Sequence, residues 1–477
     1  MSFLNEFDKA TTRKETENGA LAYTTTDSKM LDFFSAIGGM RERDEKDIVS
    51  LYLAARNEDK ELADKVILYS RDIRGGLGER RIGKILLKTL ANIDPQKVIR
   101  NFQLFVDMGR FDDLYVLEGT PAETSMWNFM KNTFLNDLKA MKEGKSISLA
   151  AKWMKSINTS SKESKRLARK FCTIAGITER TYRKALSALR KYSNVVETKM
   201  STNEWDAINF ETVPSVAIKR YSTAFSKHCP KAFTKFKKDV ESGDAKINSS
   251  TLYPYDIVYQ FLYDGNADKD ILEAQWKAQK NWFKEGAKVI VAADVSGSMY
   301  GIPMAASIGL AMYCATFNPG AYHGYYLTFT DEPRFFKLDE NKSLEWNIAQ
   351  CSKEIGYNTE MDKMFKAIYE MSVAANDAPD VLVIISDMEI DRFMRPNACD
   401  DIITKWVSKF REAGLECPRM ILWNAECRQN TYLARSNNPY VSFVSGVSAG
   451  TFANLDELIS CTPFDAMVKI LSQYVFV

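Results

Sequence analysis

A chain of 477 residues is too long for one typical domain and long enough for two or three. Hydrophobic residues make up 45% and charged residues 26%, the composition of an ordered globular protein, and no apolar run reaches the ~18 residues a membrane-spanning helix needs. The net charge of +2 hides an asymmetry, because the chain through Gly286 holds 48 Lys and Arg against 39 Asp and Glu, whereas from Ala287 onward it holds 16 against 23. Two parts with different partners are expected from that imbalance.

In chain order, Met1 to Thr25 is polar and lacks the apolar core of a signal peptide, so a cytoplasmic protein with no membrane partner is the default expectation. Helical spacing of apolar residues follows over Asp47–Ala55 and Leu62–Tyr69. Between Arg80 and Leu90, Ile82, Ile85, Leu86 and Leu90 fall on one helical face, with Arg81, Lys84 and Lys88 on another. Ser164–Ile174 aligns Leu167, Phe171 and Ile174; Thr178 suits the N-cap of a next helix that aligns Tyr182, Ala185, Leu186 and Leu189. Helix after helix without an exact repeat predicts an α-solenoid of stacked helix pairs for residues 1–285.

From residue 286 the pattern changes. Short apolar strands are predicted at Lys288–Ala293, Tyr322–Thr328, Val381–Ile385, Arg419–Trp423 and Tyr440–Val444. Helices are predicted at Ile302–Phe317, Met361–Ala375, Ile402–Ala413 and Leu455–Phe476. Alternation of this kind means a largely parallel sheet covered on both faces, so residues 286–477 are expected to form a Rossmann-like α/β domain and the whole chain an α plus α/β protein. The eight cysteines include no Cys-x-x-Cys pair, and only His228 and His323 could join them, so neither a zinc site nor a disulfide framework is expected.

In an open α/β sheet, ligands bind outside the carboxyl ends of the strands. Asp294, Ser296 and Ser298 come directly after the first strand and before its helix. They offer one carboxylate and two hydroxyls on alternate residues of a tight loop that also contains Gly297 and Gly301. These are the hard oxygen ligands that Mg2+ or another divalent cation prefers. Thr359, before the helix at Met361, and Asp387, after the strand Val381–Ile385, supply further oxygens from other strand ends; neighbouring Asn358 is an alternative to Thr359. An aspartyl-phosphate enzyme would normally carry a second Asp at the position of Ser296, and neither a Ser-His-Asp arrangement nor a P-loop is present, so no catalytic residues are assigned. The set Asp294, Ser296, Ser298, Thr359 and Asp387 resembles the metal-ion-dependent adhesion site of von Willebrand A domains. That resemblance implies a metal whose open position accepts a carboxylate from a protein partner, which is binding rather than catalysis.

The densest positive stretch is Ala151–Met200, with 13 basic and 3 acidic residues. Lys165, Arg166, Arg169 and Lys170 flank the apolar stripe of one predicted helix; Arg180, Arg183, Lys184 and Lys191 flank that of the next. Clustered cations of one sign suit a phosphate backbone, although solvated helix faces carry such charges too. The turn Arg71-Asp72-Ile73-Arg74-Gly75-Gly76-Leu77-Gly78-Glu79-Arg80 opens a basic helix, so Arg74, Arg80, Arg81 and Lys84 are further candidates for phosphate contact. The alternative is an ordinary inter-helix turn in which Arg71, Asp72, Arg74 and Glu79 pair with one another.

With Glu17-Asn18-Gly19-Ala20-Leu21-Ala22-Tyr23, the Arg71–Arg80 turn as the most specific element, Gly109-Arg110-Phe111-Asp112-Asp113-Leu114, Lys152-Trp153, Tyr182-Arg183-Lys184, Val196-Glu197 and Val213-Pro214-Ser215 in this order, the chain resembles the TROVE module of Ro ribonucleoproteins, in its relatives with a C-terminal von Willebrand A domain. The resemblance implies a HEAT-like helical ring that binds small structured or defective non-coding RNA, duplex on the basic outer surface and single strands in the hole. A protein-interaction scaffold, assembling as a homo-oligomer and using the metal to capture a carboxylate, is the alternative.

Overall fold

The computed structural model describes residues 12–193, 195–242, 244–247, 252–265, 267–283, 288–319, 321–330, 332–353, 359–391 and 399–477. Asn358 therefore lies outside the described residues. The architecture is mixed, with mostly helical structure as far as Lys277 and a parallel-dominated sheet from Val289. Among the described residues no helix is long and apolar enough to cross a membrane, and the seven described cysteines are free thiols.

After a hairpin of β1 (Arg13–Glu15) and β2 (Leu21–Tyr23), the main sheet has six strands in the order β5(Phe335–Lys337)-β4(Tyr325–Phe329)-β3(Val289–Asp294)-β6(Val381–Ser386)-β7(Arg419–Asn424)-β8(Val441–Ser445). All neighbours pair in parallel except the edge strand β5, which runs antiparallel to β4. Every residue of β3, β6 and β8 is buried. That burial on both faces explains why β3 and β6 read as continuous apolar runs rather than as alternating strands. Ala293 pairs with Ile385, and Ser386 with Asn424, so the carboxyl ends of β3, β6 and β7 lie side by side. The chain leaves β3 for β4 on one side and returns to β6 on the other. This makes the carboxyl ends of β3 and β6 the topological switch point, where open α/β sheets bind their ligands.

The helices Ile302–Phe317 and Met361–Ala375 have the predicted bounds. The first is buried nearly all round, and Gly309 lets another backbone close in: a Cβ there would lie 3.1 Å from the carbonyl carbon of Pro254. The predicted helix over Leu455–Phe476 is instead two, Leu455–Ser460 and Pro463–Leu471. Thr462 caps the second through a bond from Asp465 N, and Pro463, having no N–H, can only start a helix here.

The compact units follow a different division from the change in secondary structure. Residues 1–82 and 249–474 make one unit, and residues 83–248 with 475–477 make the other, the cut falling inside the helix Arg80–Ile93. Within the first unit the N-terminal segment is bound to the sheet side: Tyr23 and Tyr432 exchange main-chain hydrogen bonds of 2.9 and 3.0 Å, and Gly38 N donates to Ser445 Oγ at 2.9 Å. A Cβ at Gly38 would meet the Ser445 backbone at 2.6 Å, so the close approach requires glycine. The second unit is helical among its described residues. Its helices Glu123–Lys142, Lys162–Ala175 and Glu179–Tyr192 meet in a cluster of Phe134, Phe171 and Tyr182, with ring centroids 5.4 to 5.7 Å apart. Thr178 caps the last of these helices by accepting from Thr181 N, as its position predicts.

Candidate metal centre and nucleic-acid interface

Strand β3 ends in Asp294, and β6 runs into Asp387 one residue beyond its end, so pairing of the two strands fixes both carboxylates at the switch point. Asp294 is fully buried; its Oδ1 accepts from Ser296 N at 2.9 Å and its Oδ2 from Ser386 Oγ at 2.6 Å. Ser386 Oγ also lies 3.5 Å from Asp387 Oδ1, bridging the two acids. The hydroxyls of Ser296 and Ser298 lie 3.1 Å apart on the loop. Burial, reinforced by the charge of Asp387, pushes the Asp294 carboxyl up to about 7.

Asp387 Oδ2 is buried and has no hydrogen-bond partner. The Arg428 guanidinium stands 3.2 Å from it as an ion pair, without the alignment of a hydrogen bond. Arg428 also donates to the Ser298 carbonyl, and it pairs with Glu426 at 3.1 Å and Glu17 at 3.6 Å. Burial opposes its charge, but Asp387, Glu426 and Glu17 outweigh burial and hold the guanidinium above its ordinary range. Directly after Asp387, Met388 adopts a left-handed φ of 65°, an uncommon state for a non-glycine residue, with its N–H donating to Ser386 Oγ at 3.0 Å.

Thr359 is placed differently from the other four. Its N–H and hydroxyl both go to Asp391 Oδ2, the hydroxyl at 3.1 Å, which ties it to the segment after Asp387. Asp294, Ser296, Ser298 and Asp387 are gathered around the strand ends; Thr359 reaches that region through Asp391. Ser386, Asp391 and Arg428 were not anticipated. The first two lie within four residues of Asp387, so a wider reading of that strand end would have included them. Nothing local marks Arg428.

The donor set fits a hard divalent cation. It offers two carboxylates and two hydroxyls, one carboxylate oxygen buried and without a hydrogen bond, and two buried acids whose mutual repulsion a cation would relieve. Among the described residues no three His, Cys, Asp or Glu side chains converge to hold a metal, so serine hydroxyls would have to complete the shell.

In the helical unit the eight basic candidates divide. Arg166 is tied to Glu118 and to Glu163, and Lys170 reaches Glu118 at 2.6 Å and Glu123 at 2.5 Å. Arg169 pairs with Glu179 at 3.1 Å. Hydrogen bonds from Arg166, followed by Lys170, outweigh burial and hold the Glu118 carboxyl down to about 2. Arg183 donates to Asn158 Oδ1 at 3.2 Å. The side chains of Lys165, Arg180, Lys184 and Lys191 form no hydrogen bond or ion pair among the described residues; Lys165 is half-buried and the other three are exposed. The 180, 184, 191 spacing sets three of them on one face of the 179–192 helix, opposite buried Tyr182, Leu186 and Leu189.

The glycine turn is already occupied by its own fold. The N–H groups of Leu77, Gly78 and Glu79 donate to the carbonyls of Tyr69, Asp72 and Ser70 at 3.0, 3.0 and 2.7 Å. Asp72 accepts from Arg74 N, Gly75 N and Tyr474 OH, while Arg41 pairs with buried Glu79. A Cβ at Gly76 would lie 2.1 Å from the Tyr69 carbonyl oxygen. This is the inter-helix turn, and these three N–H groups are not free for a phosphate. Arg74 and Arg81 are exposed, Arg80 is half-buried, Arg81 donates to the Arg41 carbonyl at 3.0 Å, and Lys84 lies 3.7 Å from Asp113.

Residues 16–114 and 158–287 match the family model of a domain of unknown function, DUF2828, and residues 288–455 match that of a second domain of unknown function, DUF7788. The chain is 29% identical to the uncharacterized protein L728 of Acanthamoeba polyphaga mimivirus, over 96% of this chain and 87% of that protein. The crystal structure of the Ro (RSR) protein of Deinococcus radiodurans aligns with 94% of this chain and all of its own at 11% identity and a TM-score of 0.39, a score too low to establish a shared fold. The chain is thus similar along nearly its whole length to a viral protein whose function is not known, and its two matched domains meet where the first strand of the sheet begins.

Proposed function

We propose that the protein is a non-catalytic, Ro-type RNA-binding protein that holds small structured RNA on its basic helical surface and docks a protein partner through a Mg2+-dependent adhesion site. The observation that carries the RNA part is the row of unpaired Arg180, Lys184 and Lys191 on one exposed helix face, with Lys165 on the preceding helix. Cations already neutralised by glutamates gain little from a phosphate, whereas free ones release counterions when they meet it. Support for the docking part comes from the two buried acids at the switch point and the hydroxyls on the Asp294–Ser298 loop. A bound cation would supply a Lewis-acidic position for a partner carboxylate; Asp294 and Asp387 would hold it, with Ser296 and Ser298.

Neither histidine is bonded to the residues around Asp294 and Asp387. His228 stacks on Trp205 with ring centroids 4.4 Å apart, and His323 bonds the Asn318 carbonyl at 3.0 Å. The test is binding of a structured RNA across a salt series, in which affinity falls as salt rises. Absent binding at low salt, or affinity indifferent to salt, refutes the RNA reading.

One observation favours a scaffold instead. Arg166, Arg169 and Lys170 are consumed by Glu118, Glu123, Glu163 and Glu179, which lowers the effective charge of the surface. A solution mass corresponding to a large assembly free of RNA is the result expected of a scaffold.

A further inference from the structure

At the carboxyl ends of β3, β6 and β7, a cation of the chain itself reaches one of the acids assigned to the metal. Arg428 comes four residues after β7, and the residues it touches belong to the same compact unit. Its guanidinium stands 3.2 Å from Asp387 Oδ2, the buried oxygen that no hydrogen bond satisfies. The same nitrogen, Nη2, donates to the Ser298 carbonyl, so Arg428 lies against two of the four residues gathered for the cation. Its other nitrogens turn to different acids. Nε donates to Glu426 at 3.1 Å, and Nη1 lies 3.6 Å from Glu17 Oε2, longer than a charged hydrogen bond. Glu17 is anchored in that position, because its N–H donates to Glu389 Oε2 at 2.6 Å and its Oε1 accepts from Gln429 at 3.0 Å. The guanidinium is therefore shared between a buried carboxylate, Asp387 at 1% exposure, and two more open ones, Glu426 at 23% and Glu17 at 40%.

A buried carboxylate that stays charged needs a positive partner. Hard divalent cations seek carboxylate oxygens of this kind, and two positive groups drawn to one buried oxygen repel each other. We propose that Arg428 competes with the divalent cation for Asp387 Oδ2 and so sets the affinity of the site, its guanidinium turning from Asp387 toward Glu17 and Glu426 when the cation binds. The proposal rests on the metal-dependent docking site put forward above. It adds a coupling to the N-terminal segment: Glu17, which is no ligand, favours the metal-bound form by receiving the displaced guanidinium. The other role open to Arg428 is to brace the loop after β7 against the Asp294–Ser298 loop. The two roles differ in sign, since removing a brace weakens metal binding and removing a competitor strengthens it.

The test is calorimetric titration of the full chain with Mg2+ in about 0.1 M and about 0.5 M salt. Arg428→Met, which keeps the apolar stem and removes the guanidinium, should raise Mg2+ affinity roughly tenfold. That gain should persist at the higher salt, because contact with a buried oxygen is short-ranged, whereas the field of a distant charge is screened. Glu17→Gln should weaken Mg2+ binding by about twofold to fivefold, and should have no effect in the Arg428→Met background, because it acts through Arg428. Unchanged or weaker binding by Arg428→Met, a gain that vanishes at high salt, or an equal effect of Glu17→Gln in both backgrounds overturns the proposal and leaves the metal site standing. If Arg428→Met does not fold, Glu17→Gln on its exposed residue decides alone, and unchanged or tighter binding overturns the proposal. Mg2+ binding that emerges only once Arg428 is replaced sustains it. No Mg2+ binding by the unsubstituted protein or by either variant overturns the metal reading itself, and the proposal with it.

Discussion

Two carboxylates show how burial and pairing act in opposite directions. Burial first, and the charge of Asp387 second, push the Asp294 carboxyl up to about 7. In the unfolded chain an aspartate titrates near ~3.9. Between about pH 4 and pH 7 the unfolded state has therefore lost a proton that the folded state keeps. Metal-free stability must fall as pH rises through that window, and above it the cost stays in full. Replacing Asp294→Asn should accordingly stabilise the metal-free protein at pH 8 by roughly 1–4 kcal/mol while abolishing Mg2+ binding. Denaturant melts in chelator, with a metal titration alongside, check both signs; retained metal affinity would refute the assigned site. For the unsubstituted protein, Mg2+ affinity should climb with pH up to about 7 and then level off, because the ligand must be deprotonated. Glu118 is the opposite case, held down to about 2 by Arg166 and then Lys170. Its stabilising contribution is present above the ordinary glutamate range and is lost as pH falls toward about 2. Because the pairs are partly solvated, Glu118→Gln should cost at most ~1 kcal/mol in a thermal melt. It should also raise affinity for structured RNA by removing one of the two carboxylates that neutralise each of Arg166 and Lys170; unchanged or weaker binding would place those two side chains outside the interface.

At the scale of elements, the legible parts were those with a regular apolar pattern, whether unbroken or, as in the 361–375 helix, on one face. β3 and β6 are buried at every residue, so continuous Val and Ile runs announce them, and the 302–317 helix is apolar enough to be bounded correctly. Asp294 and Asp387 were legible because a strand end is a local feature. Arg428 was not, since only the parallel packing of β6 beside β7 brings the segment after β7 to Asp387. The short strands Arg13–Glu15 and Leu21–Tyr23 pair in an antiparallel hairpin, and three residues are too few to show a period. The glycine turn was ambiguous in sequence because flexible phosphate loops and tight structural turns use the same residue. Geometry separates them: the N–H groups of residues 77–79 are spent internally, and Gly76 sits where a Cβ would strike the Tyr69 carbonyl. Gly76→Ala should therefore destabilise the protein by about 2 kcal/mol or more in chemical denaturation. A neutral effect would mean that the turn relaxes easily and is not the rigid bracket described here.

Across the whole molecule, charge asymmetry in the sequence anticipates two kinds of surface, but it overstates the basic one. Of eight basic candidates on the two helices from Lys162 to Tyr192, three are tied up by four glutamates that lie within or close to the same unit's helices. What remains free is a smaller patch, namely Lys165 and the aligned Arg180, Lys184 and Lys191. The chain's partition was likewise only partly legible, because apolar periodicity says that a helix has a buried face and not which element covers it. The first 82 residues are helical in pattern yet compact with the sheet, and the glycine contact at Gly38 that marks this is invisible until β8 is in place. The claim that matters most is that RNA is held by the unpaired cations. The direct measurement is the affinity of a structured RNA for the full chain as a function of salt, beside a variant carrying Lys165→Glu, Arg180→Glu, Lys184→Glu and Lys191→Glu. With four phosphate contacts the log–log slope should be about −3 to −4, and the variant should lose most of both the slope and the affinity. A variant that binds with the original affinity and the original slope would contradict the account.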